Sequence, residues 1–211
     1  AEVLTARLQP GDKVAIIGMG SMGPGTRLIT LGQISWAEML ESYREQARGL
    51  IDGGADTLLL ETCQDLLQVK CALNACLAAL DDRGKTPQDI PLMVNVTVEQ
   101  QGTMLVGSSI EAALVALREY PILSLGLNCA TGPVEMADKI AYLSKSWRGH
   151  VAVLPNAGLP ILEAGKTVYP LQPEPFAEAL SKFIDQHGVS IVGGCCGTTP
   201  EHLERVVRVA E

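Results

Sequence analysis

Short apolar runs alternate with longer amphipathic stretches along the whole chain. The runs are Lys13–Gly18, Thr57–Thr62, Pro91–Thr97, Leu123–Cys129, His150–Gly158 and Val189–Gly194. Each is nearly continuous in apolar residues, the pattern of a strand buried on both faces. The stretches between them read as helices. Ser35 with Glu38, and Ser108 with Glu111, have the spacing of a capping box. Pro133 and Pro200 stand where a first helical residue would stand. Strands and helices in strict alternation predict a parallel α/β sheet covered by helices. No linker, internal repeat or low-complexity tract divides the chain, so residues 1–211 read as a single domain.

The polar and reactive residues are not scattered over this pattern. Ser21, Glu61, Asn95, Thr97, Asn128, Cys129, Asn156, Cys195 and Cys196 fall at or just past the C-terminal ends of the apolar runs. A (β/α)₈ barrel places its active site there. A doubly wound sheet uses the same edge, so position alone does not separate the two. Only six strand-like runs are visible, whereas a closed barrel needs eight and about 250 residues. On the barrel reading this chain covers about six β/α units and lacks the first two. Ala1 to Leu8 reads as the end of a helix, which fits a piece of something longer.

Composition narrows the function classes. The 211 residues are 47% hydrophobic and 19% charged, as in a globular protein with a real core. A net charge of −8 argues against nucleic acid or an anionic membrane surface as partner. No apolar run reaches the length of a membrane span, and no leader-like segment is present. Six irregularly spaced cysteines suit a reducing cytoplasm better than a disulfide framework.

The candidate chemistry centres on Gly193-Gly194-Cys195-Cys196-Gly197, between an apolar run and the helix start at Pro200. Adjacent Cα atoms lie about 3.8 Å apart, short of the usual disulfide span. Two such thiols suit one soft metal ion. Cys129, ending Leu125-Gly126-Leu127-Asn128, supplies a third thiol at an equivalent strand end. Three thiolates with an open fourth position form the catalytic kind of zinc site. The competing reading is three buried cysteines used as small hydrophobes, which a glycine-framed turn does not favour. Cys71 and Cys76 read as packing residues, and Cys63, beside Glu61, reads as structural.

Other constellations are weaker. Gly18-Met19-Gly20-Ser21-Met22-Gly23 matches a dinucleotide fingerprint, which requires a helix opening at the third glycine. Pro24-Gly25 follows instead, and the next helix signal is Ser35, so a long loop replaces the phosphate cradle. Glu61 ends the run Leu58-Leu59-Leu60, where a carboxylate needs a partner or a polar cavity. It suits a substrate ammonium group, or else an ion pair with a neighbouring strand. Asn156 could hold a carboxylate or tie down its loop. His150, His187 and His202 lie in no nucleophile motif, so a Ser-His-Asp or Cys-His hydrolase and a histidine zinc ligand have little support.

Gly-Leu-Asn-Cys at 126–129 and Gly-Gly-Cys-Cys-Gly at 193–197 resemble the zinc motifs of homocysteine S-methyltransferases. Gly20-Ser21-Met22-Gly23-Pro24-Gly25-Thr26 and Leu58-Leu59-Leu60-Glu61-Thr62 look most like one branch, the homocysteine-binding part of cobalamin-dependent methionine synthases. The resemblance covers essentially the whole chain. It implies a (β/α)₈ barrel, zinc on Cys129, Cys195 and Cys196, and homocysteine contacts at Glu61, Asn156 and Ser21. It implies methylcobalamin as methyl donor, bound elsewhere, with cobalamin-binding and folate-binding modules of the same polypeptide as partners. The family's first-strand glycine-rich loop has no counterpart here. Two alternatives stay open: a stand-alone methyltransferase using betaine or S-methylmethionine, and a non-catalytic zinc-binding or redox-sensing domain.

Overall fold

The computed structural model describes residues 18–210. Six parallel strands form one sheet: β1 (Met19–Met22), β2 (Thr57–Cys63), β3 (Leu92–Val96), β4 (Ile122–Asn128), β5 (His150–Leu154) and β8 (Ile191–Val192). Each pairs with the next in chain order, apart from a small antiparallel hairpin, β6 (Ile161–Glu163) and β7 (Lys166–Val168), inserted after β5. Six helices separate or follow the strands: α1 (Trp36–Asp52), α2 (Leu66–Asp81), α3 (Ile110–Leu117), α4 (Pro133–Ser146), α5 (Pro173–His187) and α6 (Pro200–Ala210). This is a parallel half-barrel. Among the described residues β1 and β8 do not pair, so the sheet is open at both edges.

The sequence explains why these elements form. Ser35 caps α1 with both halves of the capping box, its hydroxyl accepting from the Glu38 amide while Glu38 reaches back. Pro133 and Pro173 open α4 and α5, where no amide hydrogen is needed. The box expected at Ser108 does not form; the cap is Ser109, which accepts from the Ala112 amide. Residues Leu58, Leu60, Val94, Val96, Leu125, Leu127, Val151 and Val153 are buried in one core with helix residues such as Cys71, Cys76, Ile140, Phe176 and Leu180. The residues between them on each strand face the other side of the sheet, because strand side chains alternate. That inner face carries Leu59, Met93 and Ala152, but also Asn95, Ser124 and Asn128.

Apart from Gly18, the run Lys13–Gly18 lies outside the described residues, and the first strand among those described is Met19–Met22. The glycine-rich stretch is strand over Met19–Met22, held by register with Thr57–Leu60 and by burial of Met22, and the long loop expected after it follows over residues 23–35. No helix opens at Gly23, and α1 starts only at Trp36, so the phosphate cradle is absent as expected. The hairpin β6–β7 carried no expectation. No helix is long and apolar enough to cross a membrane among the described residues.

Candidate metal centre

Three strand ends meet at the C-terminal edge of the sheet. Cys129 follows β4, and Cys195 and Cys196 follow β8. Backbone bonds stitch these ends together through the segment after β5. The Cys129 amide donates to the Leu154 carbonyl at 3.2 Å, and the Cys195 amide to the Pro155 carbonyl at 2.8 Å. Ala157 donates to the Cys196 carbonyl at 2.9 Å, and Asn156 to the Thr131 carbonyl at 3.0 Å. The Asn156 side chain also takes part: its Oδ1 accepts from the Cys196 amide at 3.1 Å.

The glycines framing the cysteine pair are required by close approach. A Cβ on Gly194 would lie 2.4 Å from Thr198, whose hydroxyl donates to the Cys195 carbonyl at 2.7 Å. Gly197 has φ +79°, and a Cβ there would lie 2.3 Å from Tyr169. On the other side Cys129 and Ala130 adopt φ +62° and +59°. Such conformations cost non-glycine residues on the order of 1–3 kcal/mol each. The strain is sustained because the hydrogen bonds above fix both sides of the turn.

The result is a sulfur triangle. Cys129 Sγ lies 3.7 Å from Cys196 Sγ, and Cys195 Sγ lies 4.0 Å from Cys196 Sγ. All three sulfurs are within 4.8 Å of one another. Zinc–sulfur bonds of about 2.3 Å at tetrahedral angles put sulfurs about 3.8 Å apart, so the donor set and its spacing fit zinc. Cys129 and Cys195 are half-buried and Cys196 is exposed. A hydrogen bond from Cys195 holds the Cys129 thiol down to about 6, and the same bond, with burial, pushes Cys195 far above the ordinary thiol range.

The remaining cysteines behave as packing residues. Cys63, Cys71 and Cys76 are fully buried. Burial pushes their thiols up to about 12, 11 and 12 respectively.

Glu61 sits on the same edge. Its Oε1 accepts a short hydrogen bond from Ser21 Oγ, and its Oε2 lies 3.4 Å from Asn128 Nδ2. Among the described residues no Lys or Arg pairs with it. Its placement depends on a break in register between β2 and β3, between Leu60 and Cys63. Thr62, within the break, has φ +56°, an outlier for a β-branched residue.

Sequence reasoning brought Ser21, Glu61, Asn156 and the three cysteines to one edge, and the structure gathers them there. It gave no role to three further residues. Asn128 lies between Glu61 and Cys195, with Nδ2 3.8 Å from Cys195 Sγ; its place beside Cys129 was the available signal. Tyr169, following the hairpin, reaches the sulfurs. Burial and then a hydrogen bond to Cys196 hold its phenol above the ordinary value. Nothing local in the sequence marks it. His202 is an anchor: its Nδ1 accepts from the Thr199 amide at 3.2 Å, leaving Nε2 to donate to the Leu171 carbonyl at 2.9 Å. It ties the start of α6 to the segment after the hairpin and is not among the clustered metal-ligating groups.

Comparison with known proteins follows the same lines. The family model described as homocysteine S-methyltransferase matches residues 5–210. A methionine synthase of Mycobacterium leprae is 53% identical over 188 residues, covering 89% of this chain. One of Mycobacterium tuberculosis is 52% identical over 188 residues, again 89% of this chain. The chain spans only 15% and 16% of the length of these relatives. Among solved structures, the apo form of the Escherichia coli homocysteine methyltransferase MmuM matches with TM-score 0.69 at 20% identity, over 90% of this chain and 61% of that one. Its metallated form matches with TM-score 0.63 at 20% identity, over 88% of this chain and 58% of that one. These last likenesses concern the fold.

Proposed function

The chain belongs to the homocysteine S-methyltransferase family, and from that premise we propose that it activates the thiol of homocysteine for methyl transfer to give methionine. The observation that carries this reading is the triangle of Cys129, Cys195 and Cys196 at the C-terminal edge of the parallel sheet. These three residues would hold zinc, whose Lewis acidity there stabilises a substrate sulfur as thiolate near neutral pH. The spacing of the sulfurs and the low-lying Cys129 thiol support it.

The protein's own residues handle the rest of the amino acid. Glu61, at the strand end and facing no cation among the described residues, takes the ammonium group. Ser21 holds the Glu61 carboxylate through its hydroxyl. Asn156 stands beside Cys196 and orients the amino-acid end, while its Oδ1 fixes the cysteine turn. Proximity and alignment of the sulfur account for the catalysis, with no side-chain general base.

The high identity to methionine synthases favours the branch in which methylcobalamin, bound by another part of the same polypeptide, gives the methyl group. Cobalamin-binding and folate-binding parts of that polypeptide are then its partners, and the cytoplasm its compartment. The same identity speaks against betaine or S-methylmethionine as donor. Residues 1–211 act as one homocysteine-binding domain, whose open sheet two further β/α units would close.

The test is direct. The full-length protein, purified with its metal, is titrated with homocysteine while proton release is followed. Uptake of homocysteine with loss of its thiol proton, and no uptake after the metal is removed by chelation, is the expected result. Metal-independent binding of homocysteine would defeat the reading.

A further inference from the structure

We infer that Asn128 is a positioning residue that holds the Glu61 carboxylate and the Cys195 sulfur in one fixed relation, joining the amino-acid end of the site to its metal end. The inference rests on the function proposed above and adds a residue to it.

The orientation of the Asn128 amide follows from what it touches. Its side chain is fully buried at the end of β4. The Thr62 backbone amide lies 2.8 Å from Oδ1. A backbone N–H can only donate, so the atom facing it is the oxygen. Nδ2 therefore points the other way, where three acceptors lie within reach: Thr62 Oγ1 at 2.9 Å, Glu61 Oε2 at 3.4 Å and Cys195 Sγ at 3.8 Å. Two hydrogens serve these three acceptors. One satisfies the Thr62 hydroxyl; the other lies between the carboxylate and the sulfur.

Two tasks are combined in this one side chain. The first is a clamp. Oδ1 and Nδ2 grip the backbone and hydroxyl of Thr62, the residue at φ +56° in the register break. That break turns Glu61 toward the site. The second is electrostatic. A donor beside the carboxylate fixes its rotamer, and a donor beside a metal-binding sulfur draws charge from it, as outer-shell partners of metal ligands do. A clamp alone would need no hydrogen between Glu61 and Cys195. The backbone of Asn128 is itself tied, its carbonyl accepting from Thr97 Oγ1 at 3.0 Å, and the next residue is Cys129. Movement of any one of these groups is thereby passed to the others.

The experiment separates the two tasks. In the full-length protein, Thr62→Gly lets the backbone take its left-handed conformation without the clamp. In that background Asn128→Ala removes the remaining contacts. Four proteins are compared: wild type, Thr62→Gly, the double variant and Glu61→Gln. Zinc content, dissociation constants for homocysteine and propane-1-thiol, and the thiolate-to-metal charge-transfer band of the cobalt(II) form are measured.

We expect the double variant to keep its metal, to bind homocysteine about tenfold or more weakly than Thr62→Gly, and to bind propane-1-thiol within about threefold of it. Its cobalt band shifts, whereas that of Glu61→Gln does not. Wild-type-like constants and an unshifted band in the double variant overturn the role of Asn128 and leave the proposed function standing. A wild type that binds no metal, or takes propane-1-thiol as tightly as homocysteine, overturns both. Should the double variant fail to fold, Asn128→Asp serves in its place. It keeps an acceptor for the Thr62 amide and lacks the donors, so an unshifted cobalt band there overturns the inference equally.

Discussion

Cys129 and Cys196 stand 67 positions apart in the chain, yet their sulfurs lie 3.7 Å from each other. Two strand ends and the Leu154–Ala157 segment between them hold this distance through backbone hydrogen bonds. The backbone positions of these cysteines are set by main-chain bonds, which loss of a side chain leaves intact. Removing one thiol should therefore cost metal rather than fold. Cys129→Ala, Cys195→Ala and Cys196→Ala, each in the full-length protein, should lose most of their zinc by elemental analysis, while Cys71→Ala keeps it. Full zinc occupancy in Cys195→Ala would falsify the ligand assignment.

Glu61→Gln keeps the shape of the side chain and removes its charge. A charge-assisted hydrogen bond to an ammonium contributes about 1.5–3 kcal/mol, so homocysteine should bind roughly 10- to 100-fold more weakly. Zinc content and the binding of a simple alkyl thiol should not change. Calorimetric titration with both thiols checks this; an equal loss for the two would assign Glu61 to the metal site or the fold instead.

The metal-free protein should show two classes of thiol. Cys129, held down to about 6, is mostly thiolate at pH 7 and becomes protonated only as the pH falls below that value. Cys63, Cys71 and Cys76 stay protonated up to about 12, 11 and 12 and are buried. Alkylation by iodoacetamide at pH 7, mapped by peptide mass spectrometry, should label Cys129 and leave those three unmodified. Rapid labelling of Cys63 under native conditions would contradict its burial.

On the outside of the half-barrel, Asp82 joins α1 to α2. It accepts from Arg44 Nε at 2.9 Å and from Arg48 Nε at 2.7 Å. The hydrogen bond from Arg44, and then that from Arg48, hold its carboxyl down to about 2. A depressed pKa in the folded state stabilises above the unfolded value of about 3.9, and the contribution is lost as the pH falls toward 2. Asp82→Asn should therefore lower Tm at pH 7, with the difference from wild type shrinking between about pH 4 and pH 2. A difference that persists unchanged at pH 2 would point to packing instead.

The open sheet makes its own prediction. β1 and β8 have no partner on their outer sides among the described residues, and unpaired edges template association. Residues 1–211 expressed alone should aggregate or unfold readily in sedimentation and thermal melts. A stable monomer would mean that the edges are closed some other way.

The sequence by itself determined the strand–helix alternation, because near-continuous apolar runs and caps such as Ser35 with Glu38 act over a few residues. It also singled out the three thiols that the structure brings together: two adjacent cysteines framed by glycine cannot easily serve packing, and Cys129 ends an equivalent run. What it left undecided is set by distant segments meeting. Among the described residues the first strand is Met19–Met22, marked by pairing with Thr57–Leu60 and burial of Met22 rather than by local apolarity. The left-handed Thr62, in the register break beside Glu61, is held by hydrogen bonds with Asn128, 66 positions away. Tyr169 reaches Cys196 through a hairpin that no periodicity announced, and its ring fills the space left open by the missing Cβ of Gly197. Side-chain identity fixes what a residue can do; hydrogen bonds between strand ends decide which residues can do it together.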